Sequence, residues 1–105
     1  MARQINQYIP VHPGELIKDE IESRGISQKK LSEVIGISYT MLNEILNCKR
    51  NITAETALLF EAALNINAEM LVNTQSSYSL LIAKKNTKLS DRFSVIRRAY
   101  AAMML

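Results

Sequence analysis

At 105 residues, the chain has room for one modest core and no second independent one. Hydrophobic residues at 48% and charged residues at 22% mark a globular protein, and no apolar run is long enough to span a bilayer. The net charge is only +3, and a single cysteine (Cys48), a single histidine (His12) and three glycines leave no internal disulfide, metal-ligand set, Ser/His/Asp arrangement or Gly-rich phosphate loop, so neither an enzyme nor a cofactor is expected.

The N-terminal segment, residues 1–11, reads as an extended arm, with Ile5, Tyr8, Ile9 and Val11 apolar and Pro10 interrupting. Arg3 makes it a candidate for reaching a DNA groove, its apolar residues suit packing on a partner, and a disordered terminus is the plainer alternative. It lacks the apolar stretch of a secretory signal, so a cytoplasmic location is expected. A first helix is predicted from Pro13, a favoured first helical position, to the stop at Gly25, with Leu16, Ile17 and Ile21 facing inward. His12 stands at its entrance.

The segment from Ser27 to Arg50 is the most specific in the chain. Ser27 caps a short helix whose apolar face is Leu31, Val34 and Ile35, and Gly36 ends it. Ser32 is small, midway along, where a second helix would cross closely. Ser38 then caps a second helix with Leu42, Ile45 and Leu46 on its buried face, and Ile37 and Leu42 form a hydrophobic staple across its start. Two short helices joined by a glycine turn are a helix-turn-helix, the unit that sets its second helix in the DNA major groove.

The polar residues sort accordingly. Ser38, Tyr39, Thr40 and Asn43 lie opposite the apolar face near the start of the second helix, the end that meets base edges. Asn can bridge adenine, and Thr can touch a thymine methyl or bond a base. Gln28, Lys29, Lys30, Lys49, Arg50 and Asn51 flank this surface and suit phosphate contacts. Glu44 is open to two readings, as an acceptor from a cytosine amine or as a repulsive charge toward non-cognate DNA. The third helix closes at Asn47 or Cys48, one of which must take the strained turn conformation where glycine is usual.

Thr53 caps a fourth helix with Ala57, Leu58, Phe60, Ala63 and Leu64 toward the core. Asn67 caps a fifth, stapled by Ile66 and Leu71, which continues through Met70, Val72, Tyr78, Leu81 and Ile82. That is longer than a five-helix core requires, so its far end is the leading candidate for a subunit contact. Ser90 is read as the cap of a last helix. There Leu89, Phe93, Ile96, Tyr100 and Met103 recur at spacings of four and three, a stripe suited to a partner or to intramolecular packing.

Charge is unevenly spread. Residues 24–50 carry five basic and two acidic side chains, residues 11–23 one basic and four acidic, and residues 84–98 six basic and one acidic. A basic reading segment beside an acidic one suits an oriented DNA-binding domain. The second basic cluster either extends the DNA footprint or is a solvated helix face. The expected fold is all-α: a five-helix domain over residues 12–85, an arm over 1–11, and a C-terminal helical extension over 86–105.

The segment from His12 to Leu64 resembles the Cro/C1-type helix-turn-helix proteins, also called the XRE family. Within it, HPGE at His12–Glu15, the run Ile26–Glu33, the run Leu42–Arg50 and ITAETAL at Ile52–Leu58 resemble the HigA antitoxins, or virulence-associated protein I-like antidotes. The resemblance spans about Val11 to Lys84 and leaves the tail beyond Lys85 outside. It implies a lambda-repressor-like fold for the five-helix domain, and a homodimer that binds double-stranded DNA at a palindromic operator in its own promoter. It also implies a partner toxin, HigB, similar to the RelE ribonucleases that cut mRNA. By motif position it implies DNA contacts at Gln28, Ser38, Tyr39, Thr40 and Asn43, with Lys49 and Arg50 at phosphates. Tyr39 stands where the branch often has arginine, and Cys48 where it usually has glycine. The alternative is a stand-alone repressor of phage or mobile-element type, with the same DNA chemistry and no toxin.

Overall fold

The computed structural model describes residues 11–104, and among them the chain forms six helices and no strand. They are α1 (Pro13–Ser23), α2 (Gln28–Ile35), α3 (Tyr39–Leu46), α4 (Ala54–Leu64), α5 (Ala68–Lys84) and α6 (Thr87–Met103). The arm reading, Arg3 included, lies outside the described residues apart from Val11. No helix described is long and apolar enough to cross a membrane.

Local chemistry sets the helix boundaries. The hydroxyls of Ser27, Ser38 and Thr53 accept from the backbone N–H of Lys30, Met41 and Thr56, and the Asn67 side chain accepts from Met70. Each satisfies a donor that the first helical turn leaves unpaired. At the other ends, Gly25, Gly36, Cys48 and Asn65 all take positive φ. The last helix departs from the expectation. Its cap is Asn86, which accepts from Leu89 N–H, and Ser90 lies inside the first turn with its N–H on the Asn86 carbonyl. Asn and Ser are comparable caps, so composition did not separate them.

The core is built from Ile17 and Ile21 of α1, Leu31 of α2, Leu42, Ile45 and Leu46 of α3, Ala57, Phe60 and Leu64 of α4, and Ala68 and Leu71 of α5, with Ile52 from the loop. Ile37 and Ile66 pack against it, so both staples lead into the core. Ser32 is buried, its hydroxyl turned back to the Lys29 carbonyl. Three residues expected inside face out: Val34 is 65% exposed, and Leu58 and Ala63 are exposed on α4. Met70 and Ile82 on α5 are also exposed. A helix in a domain this small touches neighbours on a narrower arc than its apolar residues occupy.

Gln75 is a buried polar residue that periodicity did not predict. Its Oε1 accepts from Ile52 N–H at 2.8 Å, and its Nε2 donates to Asn51 and Ser79. It therefore fastens the loop after α3 to α5 from 23 residues away.

The start of α1 is fixed by contact with the end of α3. Gly14 is buried, and a Cβ there would collide with the carbonyl oxygen of Ile45 and lie 3.0 Å from His12 Nδ1. His12 is the N-cap: its Nδ1 accepts from Gly14 N–H at 2.9 Å, and its ring meets Tyr78 edge-on at 5.0 Å. The imidazole is buried, and its Nε2 has no partner at hydrogen-bond distance. Burial holds its pKa below the ordinary 6.5, against the opposing pull of the Arg50 backbone and the Glu15 carboxylate.

Gly14→Ala should force α1 off α3 and cost about 2–3 kcal/mol, lowering the thermal midpoint by roughly 10–20 °C; a calorimetric melt checks this. The lowered His12 pKa also gives stability a pH dependence. The unfolded chain takes up the proton first, so stability is complete above pH 6.5 and falls as pH drops from there toward the folded-state pKa. Denaturant titrations between pH 5 and 8 should show this slope, and His12→Asn should flatten it.

Candidate DNA-binding surface

The surface is assembled from the N-termini of α2 and α3 and the turn that follows α3. Ser38 is extended, φ −70 and ψ 152, and starts α3 so that Tyr39 and Thr40 occupy its first turn facing solvent. Leu42, Ile45 and Leu46 are buried on the other side. Lys29, Lys49 and Arg50 are exposed, while Gln28 and Asn43 are partly buried. Of the eight predicted contact residues, Gln28 and Lys29 open α2, Ser38 caps α3, Tyr39, Thr40 and Asn43 lie along α3, and Lys49 and Arg50 lie beyond its far end.

Two of them touch. Asn43 Nδ2 donates to Gln28 Oε1 at 3.1 Å, linking α3 to the start of α2 across 15 residues. A carboxamide donates this bond with one hydrogen and keeps its oxygen and second hydrogen free, the pair of groups that meets adenine. The Gln28–Asn43 bond thus fixes the orientation of the Asn43 amide.

The turn after α3 resolves the choice left at its end. Asn47 stays near helical space at φ −98, and Cys48 takes the left-handed conformation at φ 65. Cys48 N–H bonds to Ile45 O at 3.1 Å and Lys49 N–H to Glu44 O at 2.8 Å, the paired bonds of a Schellman stop. The strain that glycine would avoid is therefore carried by a cysteine. Burial raises the Cys48 thiol pKa, and the Glu15 carboxylate, 3.8 Å from Sγ, raises it further, so the thiol stays protonated.

Glu44 has a partner that neither sequence reading named. Its Oε1 accepts from Arg50 Nε at 2.8 Å and lies 2.7 Å from Nη2. Arg50 is thereby held against α3 with its side chain 47% exposed. The pair is half exposed, so its worth to stability is small. Its effect is on where the cation points. Sequence spacing gave no sign of this pair, because the Schellman turn brings the two together. Among the described residues, no group of His, Cys, Asp and Glu could hold a metal ion.

A family model described as Helix-turn-helix matches residues 17–71. Virulence-associated protein I of Dichelobacter nodosus is 32% identical over 82 residues, 77% of this chain and 76% of that protein. Among solved structures, Pseudomonas aeruginosa antitoxin HigA with the higBA promoter is similar at a TM-score of 0.70 and 32% identity, covering 79% of this chain and 92% of that one. An addiction module antidote protein of the HigA family from Coxiella burnetii gives 0.68 and 32%, with the same coverage.

Removing the Glu44 charge should free Arg50 and lower repulsion at the surface. Glu44→Gln is expected to tighten binding to all duplex DNA and to steepen the dependence of log K on log salt by about one. Fluorescence anisotropy with unrelated duplexes over a salt series measures both. An unchanged slope would remove Glu44 from the account of Arg50.

Proposed function

The chain belongs to the helix-turn-helix family and to its HigA-type antitoxin branch, and from that premise we propose that it is a DNA-binding antitoxin that represses its own operon as a dimer and neutralises an mRNA-cleaving toxin. The observation that carries the DNA half is the polar, solvent-facing start of α3 with its Gln28–Asn43 bond, set in a fold similar to an antitoxin solved with promoter DNA. The toxin half rests on the HigA-type relatives.

In this reading Ser38, Tyr39, Thr40 and Asn43 meet base edges. Gln28 and Lys29 at the start of α2, with Lys49 and Arg50 after α3, clamp phosphates on either side. A dimer presents two α3 helices to half-sites about 34 Å apart, and the bound pair blocks the promoter. Tyr39 gives the operator a base preference different from that of relatives with arginine there. The five-helix body over residues 12–85 carries this surface, and residues 86–105 form a separate extension. Family membership places the chain among binding proteins rather than enzymes.

Two measurements test the reading. Thr40→Ala and Asn43→Ala should each cost about 1–3 kcal/mol of operator preference, while Lys49→Ala or Arg50→Ala weakens binding to every sequence. Operator preference unchanged by Asn43→Ala would mean that the reading helix is docked in another register. For the toxin, the small open reading frame next to this gene should arrest growth when expressed alone and permit it when this chain is co-expressed. Arrest without rescue, or no arrest, leaves a stand-alone repressor.

A further inference from the structure

The C-terminal helix presents a face that nothing among the described residues covers. The stripe Leu89, Phe93, Ile96, Tyr100 and Met103 repeats at four, three, four and three, the spacing of a two-helix seam. Only its first part is used: Leu89 and Phe93 are half-buried, and α6 makes its main contact with α5. Beyond Phe93 the helix leaves the body, and Ile96, Tyr100, Met103 and Met104 are 54%, 60%, 78% and 66% exposed. No residue of α6 is buried.

We propose that α6 is a self-pairing helix, and that two copies of the chain join through an antiparallel α6–α6 seam along Ile96, Tyr100 and Met103. This rests on the dimer of the proposed function and assigns it a surface. The seam residues Ile96, Tyr100 and Met103 are 54%, 60% and 78% exposed, and a pairing along so short a stripe falls in the class of small interfaces below roughly 1,200 Å². A seam of that size gives a dimer that dissociates on dilution.

Charge selects the direction. Arg92 and Arg97 border the stripe on opposite sides, and neither makes an ion pair among the described residues. In a parallel pair, Arg92 of each copy would lie beside Arg97 of the other, along both edges. In the antiparallel pair that uses the uncovered residues, Ile96 packs on Tyr100 of the second copy and Phe93 on its Met103. One edge then holds only Ala99 against Ala99, small enough for close approach. Like charge is left at a single place, Arg97 against its counterpart. There the guanidinium is drawn back over its own Phe93 ring, at 5.9 Å from the centroid.

Light scattering on the full-length chain across micromolar concentrations, with and without Ile96→Asp, is the first test. The seam requires a dimer that Ile96→Asp reduces to a monomer with an unchanged melting profile, since Ile96 lies outside the core. Disulfide trapping gives direction in a Cys48→Gly background, a change the positive φ at that position favours. Phe93→Cys and Met103→Cys copies should cross-link when mixed, and Met103→Cys should not cross-link with itself. Self-linking of Met103→Cys overturns the antiparallel seam. A dimer that survives Ile96→Asp overturns α6 as the interface and leaves the dimer standing. A wild-type monomer at all concentrations overturns both.

Discussion

The contact on which the other features depend is the one between the backbone of Gly14 and the carbonyl of Ile45. That oxygen lies where α3 ends, and it also accepts the Cys48 N–H that begins the Schellman turn. The entry of α1 and the exit of α3 are therefore packed with no side chain between them. His12 completes the arrangement by capping α1 through Gly14 and filling the space toward Tyr78. A buried imidazole with an unpartnered nitrogen is a cost, and the chain accepts it to hold this junction.

Everything proposed for DNA recognition hangs from that junction. The reading helix is only Tyr39–Leu46, too short to be stable alone. Its apolar face is held by α1, α2 and the core, its start by Ser38 and Ile37, and its end by the turn at Cys48. The same turn delivers Lys49 and Arg50 to the flank and brings Arg50 to Glu44. Gln75 then ties the following loop to α5. Position, rather than the strength of any one bond, is what these contacts supply: a groove-docked helix displaced by a small distance loses its base contacts.

The two ends of the molecule obey different rules. In the body, apolar residues are matched by neighbours, and those left over, such as Val34 and Leu58, stand singly on the surface where they need no partner. On α6 Ile96, Tyr100 and Met103 are in register with one another and continue a stripe that α5 begins to cover, while Val95 is exposed off that stripe. A periodic face left bare differs physically from scattered exposure, because one partner helix can cover all of it at once.

The sequence by itself determined the helices, most of their caps, the helix-turn-helix and the polar face of α3. Those features depend on residues within one or two turns of each other: a hydroxyl reaching an N–H three positions on, or an apolar residue recurring at three and four. Family likeness was legible for the same reason, in contiguous runs such as His12–Glu15 and Leu42–Arg50. Only the tertiary structure decided which of several similar apolar residues faced inward, that Gln28 bonds Asn43, that Gln75 holds Ile52, that Glu44 holds Arg50, and that Gly14 is required by contact rather than by a turn. Except for the Glu44–Arg50 pair, each joins residues 15 or more positions apart, and no local pattern encodes which distant groups meet. The choice between Asn86 and Ser90 as the last cap belonged to local chemistry, but two equally good caps lay four residues apart, and the structure uses the first.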